Sequence, residues 1–169
     1  MDDCGDYEES LGVSFHNKSL LNEALTHSSY INENPQFALP SNERLEFLGD
    51  AVLNFIVAER LYKEFPKLPE GKLTAIGAFL VCRDALAEAA SSVKLGDYLL
   101  LGRGEEASGG RTKSSNLANA MEALIGAIYL DKGWLEARKF VVGRLKPRLE
   151  KIENGNITPN YKTLLQELD

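Results

Sequence analysis

The chain has 169 residues, of which 44% are hydrophobic and 26% are charged, and its formal net charge is −6 at pH 7. This length suffices for one well-cored domain and a short additional segment, and no apolar run approaches the ~20 residues of a membrane span. The acidic N-terminal stretch "MDDCGDYEES" has no apolar secretory core, so the sequence predicts a cytoplasmic protein without membrane contact.

The spacing of apolar residues predicts helices nearly throughout, and no alternating strand pattern is convincing, so the predicted fold class is all-α. A first helix is predicted over 19–31, and a loop over 32–41 follows it. The stretch "SNERLEFLGDAVLNFIVAERLYKEF", residues 41–65, predicts a long apolar helix that ends before Pro66. A second long helix, rich in Ala and Leu, is predicted over 71–93.

The second half of the chain continues the helical pattern. Short apolar pieces and a glycine-rich polar loop occupy 95–115, and two more helices are predicted over 116–133 and 134–152. The polar stretch 153–160 is typical of a linker, and "YKTLLQELD", 161–169, has the pattern of the first turns of another helix.

The long helix contains an acidic stripe that its apolar character does not explain. On an ideal helix Glu43, Glu46 and Asp50 fall within an arc of about 60°. Asp50 also follows Gly49, and a glycine within a helix costs roughly 1 kcal/mol relative to alanine. Glu43 alone fits a structural role, because an acidic residue in the first turn complements the helix dipole. Asp50 has no such explanation.

A second apolar helix carries oxygen side chains at the same kind of spacing. Asn119 and Glu122 lie at i and i+3 in "NLANAMEALIGAIYLD". Together with Glu46 and Asp50 they predict a site of four oxygen ligands for a hard cation, Mg²⁺ first. Glu70 is a further candidate, although a first-turn glutamate is an equally simple reading of it.

These motifs resemble the ribonuclease III family. "NERLEFLGDAVL" resembles the family signature, and "FPKLPEGKLT", "LGRGEEASGGRTKSSNLANAMEALIGAIYLD" and "NYKTLLQE" follow in the family's order. The resemblance implies an all-α, dimerising endonuclease domain over 1–152, a linker over 153–160 and the start of a double-stranded-RNA-binding domain over 161–169. It implies Mg²⁺-dependent hydrolysis of double-stranded RNA, with Mn²⁺ expected to substitute, leaving 5′-phosphate and 3′-hydroxyl ends during processing of ribosomal and messenger RNA precursors.

Site residues follow from the same resemblance, position by position. Glu46, Asp50 and Glu122 match metal ligands of the family. Glu43 and Glu70 match two further acidic residues that line the catalytic valley of the dimer. Asp50 and Glu122, with Glu43 and Glu70, are therefore the expected catalytic residues.

Two positions leave alternatives open. Phe47 matches an aromatic residue that fits a socket on the partner subunit, although a core phenylalanine would look the same in the sequence. Asn119 stands where the family pattern has Asp, which removes one negative charge. The alternative function is therefore a catalytically weakened member that holds duplex RNA without cutting it efficiently.

The negative net charge alone argues against a nucleic-acid partner, but cations bound at an acidic site can reverse that inference. Local basic residues must also hold the RNA. Arg103, Arg111 and Lys113 in the glycine-rich loop are the candidates, unless this loop is a mobile, solvated connector. Recognition of duplex shape with little reading of base sequence is expected.

Overall fold

The computed structural model describes residues 3–154, and every regular element in that range is an α-helix. In chain order the helices are α1 Asp3–Leu11, α2 Lys18–Ala24, α3 Ser28–Glu33, α4 Glu43–Glu64, α5 Glu70–Val81, α6 Arg83–Ser92, α7 Leu95–Tyr98, α8 Arg103–Ala107, α9 Ser114–Lys132 and α10 Trp134–Glu153. The all-α prediction is confirmed. None of the helices in the described range combines the length and apolar content needed to cross a membrane. The predicted linker from residue 155 onward and the predicted helix start at 161–169 lie outside that range.

Helix α9 lies at the centre of the molecule and packs against α2, α4, α6 and α10. Its buried side chains are mainly Ala, Leu and Ile, and they occupy nearly every face of the helix. Helix α4 is its principal neighbour and adds Leu45, Leu53 and Ile56 to the same core. Because other helices enclose α9, a polar side chain on α9 reaches solvent only where those helices leave a gap.

The crossing of α4 and α9 explains the glycine inside the long apolar helix. A Cβ atom at Gly49 would lie 1.7 Å from the backbone oxygen of Glu122, and one at Gly126 would lie 2.5 Å from the backbone oxygen of Leu45. Both distances are far inside van der Waals contact, so only glycine permits this approach. The close crossing places Asp50 beside the turn of α9 that carries Glu122.

The predicted boundaries hold for three of the helices. Helix α4 ends at Glu64, two residues before Pro66, as expected from the proline. Helices α9 and α10 correspond to the predicted segments 116–133 and 134–152, and they meet at Gly133, whose φ of 84° ends α9. This residue has the left-handed backbone that glycine adopts without strain.

The single helix predicted over 19–31 is wrong, because α2 and α3 are separate. The His27 N–H donates to the Leu100 carbonyl (3.0 Å), and the Leu100 N–H donates to the Leu25 carbonyl (2.8 Å). These backbone groups pair with a distant segment and so cannot continue the helix. Helical periodicity persists across the break, which is why the sequence did not reveal it.

The single helix predicted over 71–93 is also wrong. Helices α5 and α6 meet at Cys82, whose extended backbone (φ −64°, ψ 161°) interrupts the helix. The Arg148 guanidinium donates to the Phe79 carbonyl (3.1 Å) and lies 4.7 Å from the centre of the Phe79 ring. Arg148 from α10 thus donates to a carbonyl near the end of α5, although the two residues are remote in sequence.

Candidate active site

The acidic stripe lies on the first half of α4. Glu43 is the first helical residue, is exposed, and accepts a hydrogen bond from the Ser41 hydroxyl (2.8 Å). Glu46 is half-buried one turn further on. Asp50 is exposed, and its Oδ1 accepts a hydrogen bond from the side-chain amide of Asn54 (2.9 Å). Asn54 is not among the residues predicted from the sequence, although its i+4 spacing from Asp50 was a usable signal.

Glu122 on α9 shares the electrostatic environment of this stripe. Its pKa is raised to about 7, first because the carboxyl is partly buried and then because Asp50 and Glu46 place negative charges nearby. Gly49, the residue before Asp50, lies against the Glu122 backbone where α4 and α9 cross, so Glu122 shares one acidic region with Glu46 and Asp50.

Glu46 responds to the same crowding. Burial raises the pKa of the Glu46 carboxyl, and the neighbouring charges of Glu43 and Asp50 raise it further. Both carboxyls are therefore pushed toward the protonated form by desolvation and by like charge. A cation between them would relieve that repulsion, so the region resists negative charge unless a proton or a metal ion balances it.

The donor set suits a hard divalent cation. Carboxylate and amide oxygens are the ligands that Mg²⁺ takes in proteins. As the side chains stand, however, no group of three or more His, Cys, Asp or Glu residues between positions 3 and 154 is arranged so that it could hold a metal ion. One oxygen of Asp50 accepts its hydrogen bond from the Asn54 side chain. Metal binding by these residues stays a prediction.

Two further predicted site residues differ in their placement. Asn119 is exposed on α9, one turn before Glu122 and on the same side of the helix. Glu70 is the first residue of α5 and is exposed. Helix α5 packs against α4, but the charges that raise the pKa of Glu46 and Glu122 do not include Glu70. Within one protomer Glu70 is thus not part of the coupled acidic group.

Arg111 holds the glycine-rich loop through hydrogen bonds to backbone carbonyls, and most residues of the loop are exposed. Arg111 Nη1 donates to the carbonyls of Gly96 (3.0 Å) and Leu99 (2.8 Å), and its Nε donates to Glu106 (2.8 Å). A Cβ atom at Gly96 would lie 2.2 Å from the Arg111 carbonyl. The Arg111 guanidinium therefore has a structural task within the loop, and its predicted role in RNA binding stays a prediction.

The other two basic residues of the loop differ in how they are paired. Lys113 is exposed, with Nζ 3.4 Å from a Glu105 oxygen, and that carboxylate also accepts a hydrogen bond from Asn116 (2.8 Å). Arg103 is exposed at the start of α8, and its side chain makes no ion pair with any residue of the described range.

An exposed apolar surface runs along α4. Phe47 is 81% exposed, Phe55 is 62% exposed and Tyr62 is 75% exposed. Phe47 is therefore not a core residue of its own protomer, and its contact with a partner subunit stays a prediction. It borders an open depression of about 650 Å³, whose other lining residues are Leu20, Glu23, Glu43, Arg44, Leu45, Leu48 and Leu130. An apolar surface of this kind is typical of an interaction site.

Comparisons with known proteins identify the family. The family model described as Ribonuclease-III-like matches residues 17–149. The chain is 52% identical over 167 residues to "Ribonuclease 3" of Dehalococcoides mccartyi, covering 98% of this chain and 70% of that relative.

Solved structures show the same likeness. The nuclease domain of ribonuclease III from Campylobacter jejuni is similar with a TM-score of 0.79 at 40% identity, covering 88% of this chain and 97% of that one. A second structure of that domain, described as flexible in a region involved in dimer formation, has a TM-score of 0.77 at 42% identity and covers 83% of this chain and 94% of that one. By sequence and by fold, this chain belongs to the ribonuclease III family of endoribonucleases.

Proposed function

We propose that this protein hydrolyses phosphodiester bonds of double-stranded RNA as a homodimer, with Mg²⁺ bound by carboxylates of α4 and α9. The products are 5′-phosphate and 3′-hydroxyl ends, and Mn²⁺ substitutes for Mg²⁺. Precursors of ribosomal and messenger RNA are the substrates that the family resemblance implies.

One observation supports this proposal above the others: Glu122 on α9 is partly buried beside Asp50 and Glu46 of α4, and burial, followed by these two neighbouring charges, raises the pKa of Glu122 to about 7. Crowded carboxylates destabilise a folded protein unless a proton or a bound cation neutralises their charge. Binding of a divalent cation is the use that the oxygen donors favour.

Each residue has its own part in the proposed reaction. Glu46, Asp50 and Glu122 hold the cation, and Asn119 adds a neutral carbonyl oxygen one turn from Glu122. When bound, the cation supplies Lewis acidity, which favours deprotonation of water and neutralises charge that accumulates on the phosphate. The Asn54 amide holds one oxygen of Asp50 and so orients the other. Glu122 would have to be a carboxylate, with its proton released to solvent, for its oxygens to be ligands.

The exposed face of α4 supports the proposed dimer. In a two-fold pair the same surface meets itself, so a Phe47 ring and the depression beside it on each protomer can be filled reciprocally. Such an arrangement would bring two acidic regions to one interface. Glu70, which lies apart from the coupled carboxylates in a single protomer, is proposed to join the catalytic valley with Glu43 in that assembly.

The direct test is cleavage of a long duplex RNA by the chain and by Asp50→Ala. We expect the unmodified chain to cleave the RNA in Mg²⁺. Cleavage should fall by at least about a thousandfold in Asp50→Ala and should disappear in chelator. Equal cleavage by Asp50→Ala, or undiminished cleavage in chelator, would contradict the proposed function. Glu9→Ala, which removes an exposed carboxylate from α1, is the matched control and should leave the rate unchanged.

The alternative, a weakened member that holds duplex RNA, is favoured by Asn119, because this position contributes no charge to the acidic region. We expect Asn119→Asp to raise the affinity for Mg²⁺ and the cleavage rate. A rise of a hundredfold or more from an almost inactive chain would support the alternative. A rise of only a few-fold would mark Asn119 as a tolerated difference.

A further inference from the structure

Helix α3 holds the beginning of the glycine-rich loop through two side chains. The Arg103 N–H donates to Glu33 Oε2 (2.9 Å), and the Gly104 N–H lies 3.5 Å from Glu33 Oε1. The Gly102 N–H donates to the Ser29 hydroxyl (2.9 Å). Three successive backbone N–H groups at the start of α8 are thus directed at α3.

The contact between α3 and this backbone is close. A Cβ atom at Gly102 would lie 2.7 Å from both Glu33 Oε1 and the Ser29 carbonyl. Only glycine leaves room for the Glu33 carboxylate to reach the first turn of α8. Charge-assisted hydrogen bonds from backbone N–H groups to a carboxylate are stronger than neutral ones, so the contact fixes the backbone at Arg103.

Arg103 differs in its pairing from the other cations of the loop. Arg111 is bonded to loop carbonyls and Glu106, and Lys113 lies beside Glu105. The Arg103 guanidinium is exposed and unpaired within the described range, although its own backbone N–H is held by Glu33. A rigid backbone with a free guanidinium suits a phosphate contact, because less freedom is lost when the contact forms.

We propose that Glu33 is a positioning residue for duplex RNA: it holds the backbone of Arg103 so that the guanidinium meets a phosphate of the RNA. This inference rests on the proposed function. It gives an acidic residue outside the catalytic group a task in binding a polyanion.

Whether removal of Glu33 strengthens or weakens RNA binding distinguishes a positioning role from simple electrostatics. Removing Glu33 makes an acidic chain less negative, so charge alone predicts tighter RNA binding. Positioning predicts weaker binding, because the backbone that carries the Arg103 side chain is no longer held by Glu33. A general loss of folding is distinguished by the dependence of the effect on Arg103.

The experiment is a double-mutant cycle on the dissociation constant of a duplex RNA, measured with Ca²⁺ in place of Mg²⁺ so that a cation remains available to the acidic site, with a gel to verify that the RNA stays uncut. The proteins are the unmodified chain, Glu33→Ala, Arg103→Ala and the double variant, with Glu9→Ala as the control that removes an exposed carboxylate from α1. Each single variant of the pair is expected to weaken binding by up to about tenfold and to reduce the slope of log K against log salt by about 0.9. The double variant should bind like Arg103→Ala, and the control should bind at least as tightly as the unmodified chain.

The inference would be overturned if Glu33→Ala binds the RNA as tightly as the unmodified chain. It would also be overturned if Glu33→Ala weakens binding by the same factor in the Arg103→Ala background. If Glu33→Ala does not fold, the cycle is run with Glu33→Gln, which keeps one acceptor oxygen. Its smaller loss must again disappear in the Arg103→Ala background, and a loss that persists overturns the inference. If the unmodified chain neither binds nor cuts duplex RNA, the proposed function fails as well. Normal binding and cutting with an unchanged Glu33→Ala defeats only this inference.

Discussion

The raised pKa of Glu122 shows that clustered carboxylates at this site lower the stability of the folded protein when they are ionised. Its carboxyl is partly buried beside Asp50 and Glu46, and its pKa is raised to about 7. A raised pKa means that the folded protein binds the proton more tightly than the unfolded chain. Without a cation, the contribution of Glu122 to stability is therefore fully present below the unfolded pKa of about 4.3 and is lost as the pH rises through about 7.

Because the pKa of Glu122 is raised, we can predict how Glu122→Gln changes the thermal stability in chelator. At pH 8 the substitution should raise the melting temperature by roughly 2–4 °C, because it removes an ionised carboxylate from an acidic region and that gain is reduced by solvent screening. The difference should shrink as the pH falls toward 4.5, where both side chains are neutral. Thermal melting between pH 4.5 and 8 measures it. Destabilisation by Glu122→Gln at pH 8 would contradict the assigned pKa.

At the scale of elements, the contact between α4 and α9 determines the site. The spacing of carboxylates in the sequence predicted which residues of each helix share a face. It did not predict how the helices cross, because that depends on Gly49 and Gly126 approaching backbone atoms of the other helix. In the same way, apolar periodicity located α4, α9 and α10 but not the breaks between α2 and α3 or between α5 and α6. At those breaks the chain forms hydrogen bonds with Leu100 and Arg148, which lie far along the sequence.

The crossing predicts the effect of alanine at two helical glycines. Gly49→Ala should destabilise the protein by about 1–3 kcal/mol or more, because its Cβ would collide with the Glu122 backbone, and it should abolish cleavage. Gly143→Ala is the matched control within α10, where a Cβ meets nothing within 4 Å. It should stabilise the protein by up to about 1 kcal/mol through helix propensity. Denaturant unfolding measures both, and equal stability of the two variants would show that the close crossing is wrong.

At the scale of the whole molecule, a chain with a net charge of −6 must still bind a polyanion. Two features of the sequence predicted how an acidic chain could bind RNA. They are an acidic site that takes up cations and the basic residues of the glycine-rich loop. The structure shows that the loop is internally bonded through Arg111, which the sequence could not reveal because the partners are backbone carbonyls. It also shows Phe47 on the surface, where a second protomer can cover it.

The exposed face predicts a dimer that depends on Phe47. Burying one phenylalanine contributes about 1.5–3 kcal/mol, and a two-fold pair buries two. Phe47→Ala should therefore raise the dimer dissociation constant by about 10²–10⁴, whereas Phe47→Leu should retain most of the affinity. Sedimentation equilibrium measures both constants. An unchanged constant for Phe47→Ala would exclude this face as the dimer contact.

We propose that carboxylates from α4 and α9 share a divalent cation. The most direct measurement is a crystal structure of the chain grown with Mn²⁺, with data collected at a wavelength where manganese scatters anomalously. We predict an anomalous peak at bonding distance from carboxylate oxygens of Glu46, Asp50 and Glu122. Manganese bound only elsewhere, or these three side chains well ordered and turned away from any peak, would contradict the claim.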